Sequence, residues 1–145
     1  MRVLIIDDER DLTELCRIGL ESNGHSVEVA LDGEAGLEAI HARTPDVIVL
    51  DFMMPGLDGL SVLERMNRDL AEAARPPVVM LSAQGRAEDA VRGLAAGATS
   101  YVTKPFSLED LEQLLIDVIS EDAAARAFRR NRALAGLRNR PRADA

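Results

Sequence analysis

"VIVLDFMMPGLDGL", residues 47–60, decides how the rest of this chain is read. Four apolar residues run straight into a carboxylate, Asp51, and then into the turn-forming Pro55 and Gly56. A continuous, β-branched run of this kind reads as a strand covered on both faces. An acid placed where such a strand ends calls for a chemical role.

Four further apolar runs recur on either side: "VLII" (3–6), "VEVA" (27–30), "VVML" (78–81) and "SYVT" (100–103). Segments with helical spacing lie between them. Leu12, Leu15, Cys16, Gly19 and Leu20 fall on one face of a first helix. Leu37 and Ile40 mark a second, Leu60, Leu63 and Met66 a third, and Val91 and Leu94 a fourth. Leu108, Leu111, Leu114, Leu115, Val118 and Ile119 mark the last. Strands separated by helices are parallel, so the expected fold is α/β, a five-stranded parallel doubly wound sheet. "SYVT" is the least marked strand, being short and half polar.

Composition narrows the function classes. At 145 residues and 47% hydrophobic, the chain has the size of one ordinary domain. A net charge of -8 and a pI of about 4.8 oppose an overall affinity for nucleic acid or anionic membrane. No apolar stretch approaches the length needed to cross a bilayer, and "MRVLIIDDE" turns acidic too soon for a signal peptide. The chain therefore reads as cytoplasmic. The single cysteine, Cys16, sits in a helical apolar stripe without a sequence-adjacent histidine and reads as a core thiol.

Ligands of doubly wound sheets sit beyond the carboxyl ends of the strands, at the point where strand order reverses. Asp51 ends the third strand, Asp7 and Asp8 follow the first, Ser82 follows the fourth and Lys104 the fifth. With the first and third strands as neighbours, three carboxylates converge beside a hydroxyl and an ammonium. Asp8 or Glu9 could cap the first helix. Capping does not account for three acids with Ser and Lys at two other strand ends. Lys104 alone would pass for a solvated lysine, but the following Pro105 holds it away from helical geometry and fixes where its ammonium stands.

Like charges brought together raise one another's pKa unless a cation neutralises them. Oxygen-only ligands favour a hard ion, Mg²⁺ or else Mn²⁺. Such an ion would ease the approach of a phosphoryl group to a carboxylate nucleophile, and Asp51 would become an aspartyl phosphate. Lys104 would offer a point charge and Ser82 a hydroxyl donor to the phosphoryl oxygens.

Taken in order, "IIDDE", "VIVLDFMMPGLDGL", "VVMLSA" and "GATSYVTKPFSLEDL" resemble the defining segments of the receiver domain of bacterial two-component response regulators, over residues 2 to about 120. The resemblance implies a flavodoxin-like (βα)5 fold. It also implies Asp51 as phosphoacceptor, Asp7 and Asp8 in the acidic metal pocket with Asp8 and Asp51 as direct carboxylate ligands, and the backbone carbonyl of Met53 as a further ligand. Ser82 matches the switch hydroxyl, Tyr101 the switch aromatic, and Lys104 a lysine followed by a proline that is usually cis. Asp58 and Gly59 match the turn after the phosphoacceptor. Met53 and Gln84 stand where the family tunes water attack, which implies an ordinary phosphoryl lifetime.

By the same resemblance, Tyr101 would swing inward as the Ser82 hydroxyl moves to the phosphoryl group. That would change the surface of the fourth helix, fifth strand and fifth helix. The donor would be a sensor histidine kinase or a phosphotransfer protein, docking on the first helix and the loop after the fifth strand. The output would be a homodimer on activation, a downstream protein, or an output domain elsewhere in a longer DNA-binding regulator. A small aspartate-nucleophile phosphohydrolase is a competing class, but it needs a second acid where Met53 stands. A flavin-binding module is another, but the first loop lacks the hydroxyl-rich run that would hold a phosphate.

Residues 121–145 differ in kind. Seven arginines against three acids make them about +4, while residues 1–120 carry about -12. Ala and Arg are strong helix formers, so the fifth helix is expected to run on to Gly136 and give way to disorder, with Pro141 beyond it. Phe128, Leu134 and Leu137 form no convincing apolar face. The segment reads as a solvated extension or the start of a linker, ahead of a basic arm that docks on an acidic receiver surface or a partner and releases on phosphorylation, or of a nucleic-acid contact. Direct nucleic-acid binding has charge but no recognition motif. His25 and His41 read as surface residues.

Overall fold

The computed structural model describes residues 1–139. Strands β1 (Arg2–Ile6), β2 (Ser26–Ala30), β3 (Val47–Asp51), β4 (Val78–Ala83) and β5 (Ser100–Lys104) form one sheet in the order β2-β1-β3-β4-β5. All adjacent pairs are parallel. Between and after them run α1 (Arg10–Ser22), α2 (Gly33–Ala42), α3 (Gly59–Asp69), α4 (Ala87–Ala95) and α5 (Leu108–Ser120). A short 3-10 turn, Glu72–Ala74, precedes β4. The α/β doubly wound expectation is met, and β1 and β3 are neighbours.

Alternation along each strand divides the interior in two. Leu4, Ile6, Ile48, Leu50 and Met80 face α2, α3 and α4, whereas Val3, Ile5, Val49, Val79 and Leu81 face α1 and α5. The central β3 is buried at every position, which is what its unbroken apolar run encodes. Although "VEVA" is one of the five apolar runs, β2 is an edge strand whose exposure alternates, with Glu28 exposed. In α1 the expected stripe is shifted. Leu15 is 67% exposed, and Thr13 is buried in company with Cys16 and Leu20. No helix of the described residues is long and apolar enough to cross a membrane.

The end of the chain departs from the single long helix that was expected. α5 stops at Ser120, Glu121 and Asp122 take extended backbone angles, and a separate helix, α6 (Ala123–Arg138), follows. Asp122 makes the break by accepting a hydrogen bond from the Ala125 N–H, so that it caps a new helix. Arg126 then donates to the carbonyl oxygens of Val118 and Ile119, satisfying backbone acceptors at the end of α5. α5 belongs to the α1 side of the sheet, whereas α6 packs against α4 on the other side. Leu137 is buried and Ala133 and Leu134 pack on the same cluster, so Leu134 and Leu137 do join an apolar face, whereas Phe128 stays exposed. Pro141, and the disorder expected around it, lie outside the described residues.

Candidate functional site

The carboxyl ends of β1 and β3 meet where strand order reverses. There the chain sets Asp7, fully buried, and Asp51, 5% exposed, with the exposed Asp8 at the rim. One carboxylate oxygen from each of the three lies within 4.8 Å of the others. The Lys104 ammonium enters from the end of β5, 2.9 Å from Asp7 Oδ2 and 3.5 Å from Asp51 Oδ2. The Lys104–Pro105 peptide is cis, as the resemblance implies.

Local structure holds each of these groups in place. The Glu9 N–H donates to Asp7 Oδ1 at 3.0 Å, and the Met53 N–H to Asp51 Oδ1 at 3.3 Å. Asp58 caps α3 by accepting from the Ser61 N–H. Gly59 packs so closely on the end of β3 that a Cβ there would lie 2.2 Å from the Asp51 carbonyl oxygen. The loop can therefore fold under Asp51 only with glycine at position 59. Pro55 and Gly56 form the exposed turn between, Gly56 at a φ of 76° that suits glycine.

The charge balance is uneven. Burial, reinforced by the negative charge of Asp7, pushes the Asp51 carboxyl up to about 7 from its ordinary 3.8, against the pull of Lys104 and the Met53 N–H. Burial works to lower the Lys104 pKa, but its contacts with Asp7, Asp51 and Glu9 outweigh it, and the ammonium is held above its usual range. One lysine thus does not neutralise the pocket. Asp7 Oδ2 makes no aligned hydrogen bond although it is wholly buried. Three hard oxygen donors, two of them from buried carboxylates that share a single ammonium, fit a divalent cation of the Mg²⁺ class.

The remaining expected residues stand around this centre. Ser82 is buried at the end of β4, in register with Thr103, and the next pair along is Ala83 with Lys104. Tyr101 lies two residues back along β5, opposite Met80, half-buried against the α4 side of the core. Met53 is 51% exposed and Gln84 is exposed, both at the rim. The Arg86 guanidinium reaches the Met53 sulfur at 3.8 Å, linking the loops after β3 and β4.

Sequence reasoning missed the role of Glu9. It occupies the N-cap position of α1, but its side chain caps nothing and instead meets Lys104 at 3.2 Å. Its place directly after Asp7 and Asp8 was the available signal. His41 is exposed as expected, whereas His25 is half-buried and pairs with Glu112 of α5 at 3.1 Å. Cys16 is buried, and burial followed by the charge of Asp7 pushes its thiol up, as befits a core thiol.

A parallel sheet of this order with an acidic, lysine-faced pocket at its reversal point defines a flavodoxin-like α/β domain whose strand ends carry the chemistry. Residues 3–116 match the family model described as the response regulator receiver domain, and the chain belongs to that family. It is 42% identical over 110 residues to the DNA-binding dual master transcriptional regulator RpaA of Synechocystis, covering 76% of this chain and 45% of that protein. It is 43% identical to the response regulator MprA of Mycobacterium avium, over 77% of this chain and 47% of that one. This chain thus spans about half the length of these curated relatives. Among solved structures, the receiver domain of the Francisella response regulator 1452 matches with a TM-score of 0.74 and 35% identity, over 82% of this chain and 96% of that one. NtrX from Brucella abortus in complex with ATP matches 94% of this chain but 27% of its own, with a TM-score of 0.70 and 32% identity.

Proposed function

We propose that this receiver domain is a phosphorylation switch in which Asp51 accepts the phosphoryl group. The observation that carries the reading is the under-neutralised pocket itself: Asp7 and Asp51 buried together against one ammonium, at the reversal point of the sheet. An Asp51 carboxylate oxygen forms the new P–O bond as the P–N bond of a phosphohistidine breaks, and the imidazole leaves with a proton. The donor is a sensor histidine kinase or a phosphotransfer protein. Lys104 moves its charge toward the incoming phosphoryl oxygens, and the Ser82 hydroxyl donates to another of them.

Asp7, Asp8, Asp51 and the backbone carbonyl of Met53 would hold Mg²⁺, or Mn²⁺ in its place. When bound, the ion supplies positive charge that offsets repulsion between the phosphoryl group and the carboxylate. With Met53 where a hydrolase would carry a second acid, the domain is a switch with slow self-dephosphorylation and not an enzyme acting on other substrates. Ser82 and Tyr101 relay the modification to the surface of α4, β5 and α5.

Output follows by dimerisation or by binding a protein partner. A second reading, the front half of a longer DNA-binding regulator, is favoured by one observation: the relatives are about twice as long. Intact-mass measurement after incubation with acetyl phosphate tests the switch. One phosphoryl group should add in the presence of Mg²⁺, and none in its absence or with Asp51→Asn. Equal labelling of Asp51→Asn would sink the reading.

A further inference from the structure

α6 lies where the proposed switch is read out. It crosses from the α5 side of the sheet to pack on α4 and β5, with Leu137 7% exposed in the cluster that contains Ala90 and Leu94. Tyr101 packs on that same cluster. The helix is thus a ready occupant of a face that any protein partner would also need.

Its hold is slight. Leu137 is the one buried residue of α6, and Ala133 and Leu134 are half-buried. Gly136 has open space around its Cβ position, and glycine weakens a helix interior. Towards its N-terminus α6 stands off from the core. A cleft of about 400 Å³ separates Phe128, Arg132 and Ala125 from Ser100 of β5, and Phe128 is 64% exposed. The corner with α5 is firmer, held by Arg126 on the α5 carbonyls and by the ion pair of Arg129 with Glu121. α6 is therefore tethered at one end and anchored at the other by a short apolar patch, Leu137 buried and Ala133 and Leu134 half-buried beside it.

The path from pocket to anchor is short. Ser82 stands opposite Thr103, and Tyr101 is two residues back on the same strand. Drawing the Tyr101 ring inward would remove apolar surface from the cluster on which Leu137 sits. A helix whose apolar contact is limited to Ala133, Leu134 and Leu137 tolerates little such loss.

We propose that α6 is a cis latch on the α4–β5 face, docked while Asp51 is unmodified and released when the phosphoryl group is in place. The proposal rests on the phosphoacceptor reading of Asp51. Release exposes the α4–β5 face and lets residues 123–138, with five arginines and no acid, lose their helix, since an isolated helix of this length is marginal in water. Because α6 and the phosphoryl group oppose one another through one equilibrium, the coupling is reciprocal: loosening α6 must tighten binding at the pocket.

Hydrogen exchange on the full chain, with and without Mg²⁺ and beryllofluoride as the phosphoryl mimic, reads the latch directly. Amides of residues 123–138 should exchange on the order of tenfold faster in the beryllofluoride complex. Unchanged or slower exchange there, with beryllofluoride bound, overturns the latch and leaves the phosphoacceptor reading standing. Failure to bind beryllofluoride at all overturns both. Two variants of opposite sign complete the test. Leu137→Asp removes the anchor and should tighten beryllofluoride binding by about fivefold. Gly136→Ala, which strengthens the helix in open space, should weaken it. Affinities that stay level, or that move in the same direction in both variants, contradict the proposal.

Discussion

The pocket and α6 are held in opposite ways. At the strand ends, two carboxylates are buried against one ammonium, and each is pinned by a backbone N–H. That arrangement opposes stability: burial with a like charge has pushed Asp51 up to about 7, so its ionised form is uncomfortable where it stands. The rest of the sheet, with β3 buried throughout, supports it. α6 carries no such internal conflict, and its support is uneven, with Ala133, Leu134 and Leu137 on the core at one end and a cleft along Ala125, Phe128 and Arg132 at the other. A rigid, strained centre can store a chemical event, and a lightly docked element can report it.

The contrast can be broken most forcefully at Lys104. Lys104→Met leaves Asp7 and Asp51 buried without their cation, and should cost about 3–5 kcal/mol in urea unfolding without Mg²⁺. The sign with pH follows from Asp51. Its folded-state pKa lies above the ordinary value, so its contribution to stability is complete below about 3.8 and is lost as pH rises through about 7. Without Lys104 the Asp51 carboxyl is pushed up further, so the variant's deficit should grow as pH rises past about 7, where the wild-type group ionises and the variant's does not. A deficit independent of pH would mean that Lys104 acts through packing.

Gly59→Ala presses a methyl group onto the Asp51 carbonyl and should cost about 1–3 kcal/mol by the same unfolding assay. It should also displace the Asp51 side chain and weaken cation binding, where a purely structural glycine would leave that binding intact. Next in size is the affinity for Mg²⁺. Ligands must be deprotonated, so affinity measured by calorimetry should rise about tenfold per pH unit below 7 and level off above it. A flat profile would show that Asp51 is already ionised in the free pocket.

The smallest effect belongs to α6. Arg126→Ala removes hydrogen bonds to the Val118 and Ile119 carbonyls and should cost about 0.5–1.5 kcal/mol, with the α6 amides losing protection first. Loss of the pocket's cation affinity in this variant would merge the two regions into one cooperative unit.

The same contrast explains what the sequence disclosed. Asp7, Asp51 and Lys104 were legible because a parallel sheet offers few positions for chemistry, and strand ends are visible as apolar runs meeting polar residues. Gly59 was legible as part of a turn, although its contact with the Asp51 carbonyl is a matter of tertiary approach. Glu9 was weighed only as a cap, since nothing local says that a lysine almost a hundred residues away will claim its carboxylate. Leu15 and Thr13 exchanged roles because periodicity marks a face without fixing its centre.

The break before α6 was the larger miss. Ala and Arg favour helix on both sides of it, and no Gly or Pro interrupts residues 115–135. The decisive groups are Asp122, which serves as an N-cap ahead of "AAARAF", and Arg126, which turns back onto α5. An Asp before a helical run is a visible signal, but its weight depends on whether the second helix finds a surface. Here that surface is α4, and Leu134 and Leu137, spaced i and i+3, supply the contact.

The most direct test of the account is to locate the phosphoryl group. After labelling the full chain with acetyl phosphate and Mg²⁺, reduction with borohydride converts an aspartyl phosphate to homoserine, which peptide mass spectrometry places by position. The account predicts conversion at position 51 alone. Conversion at Asp7 or Asp8, or a label that survives on His25 or His41, would contradict it.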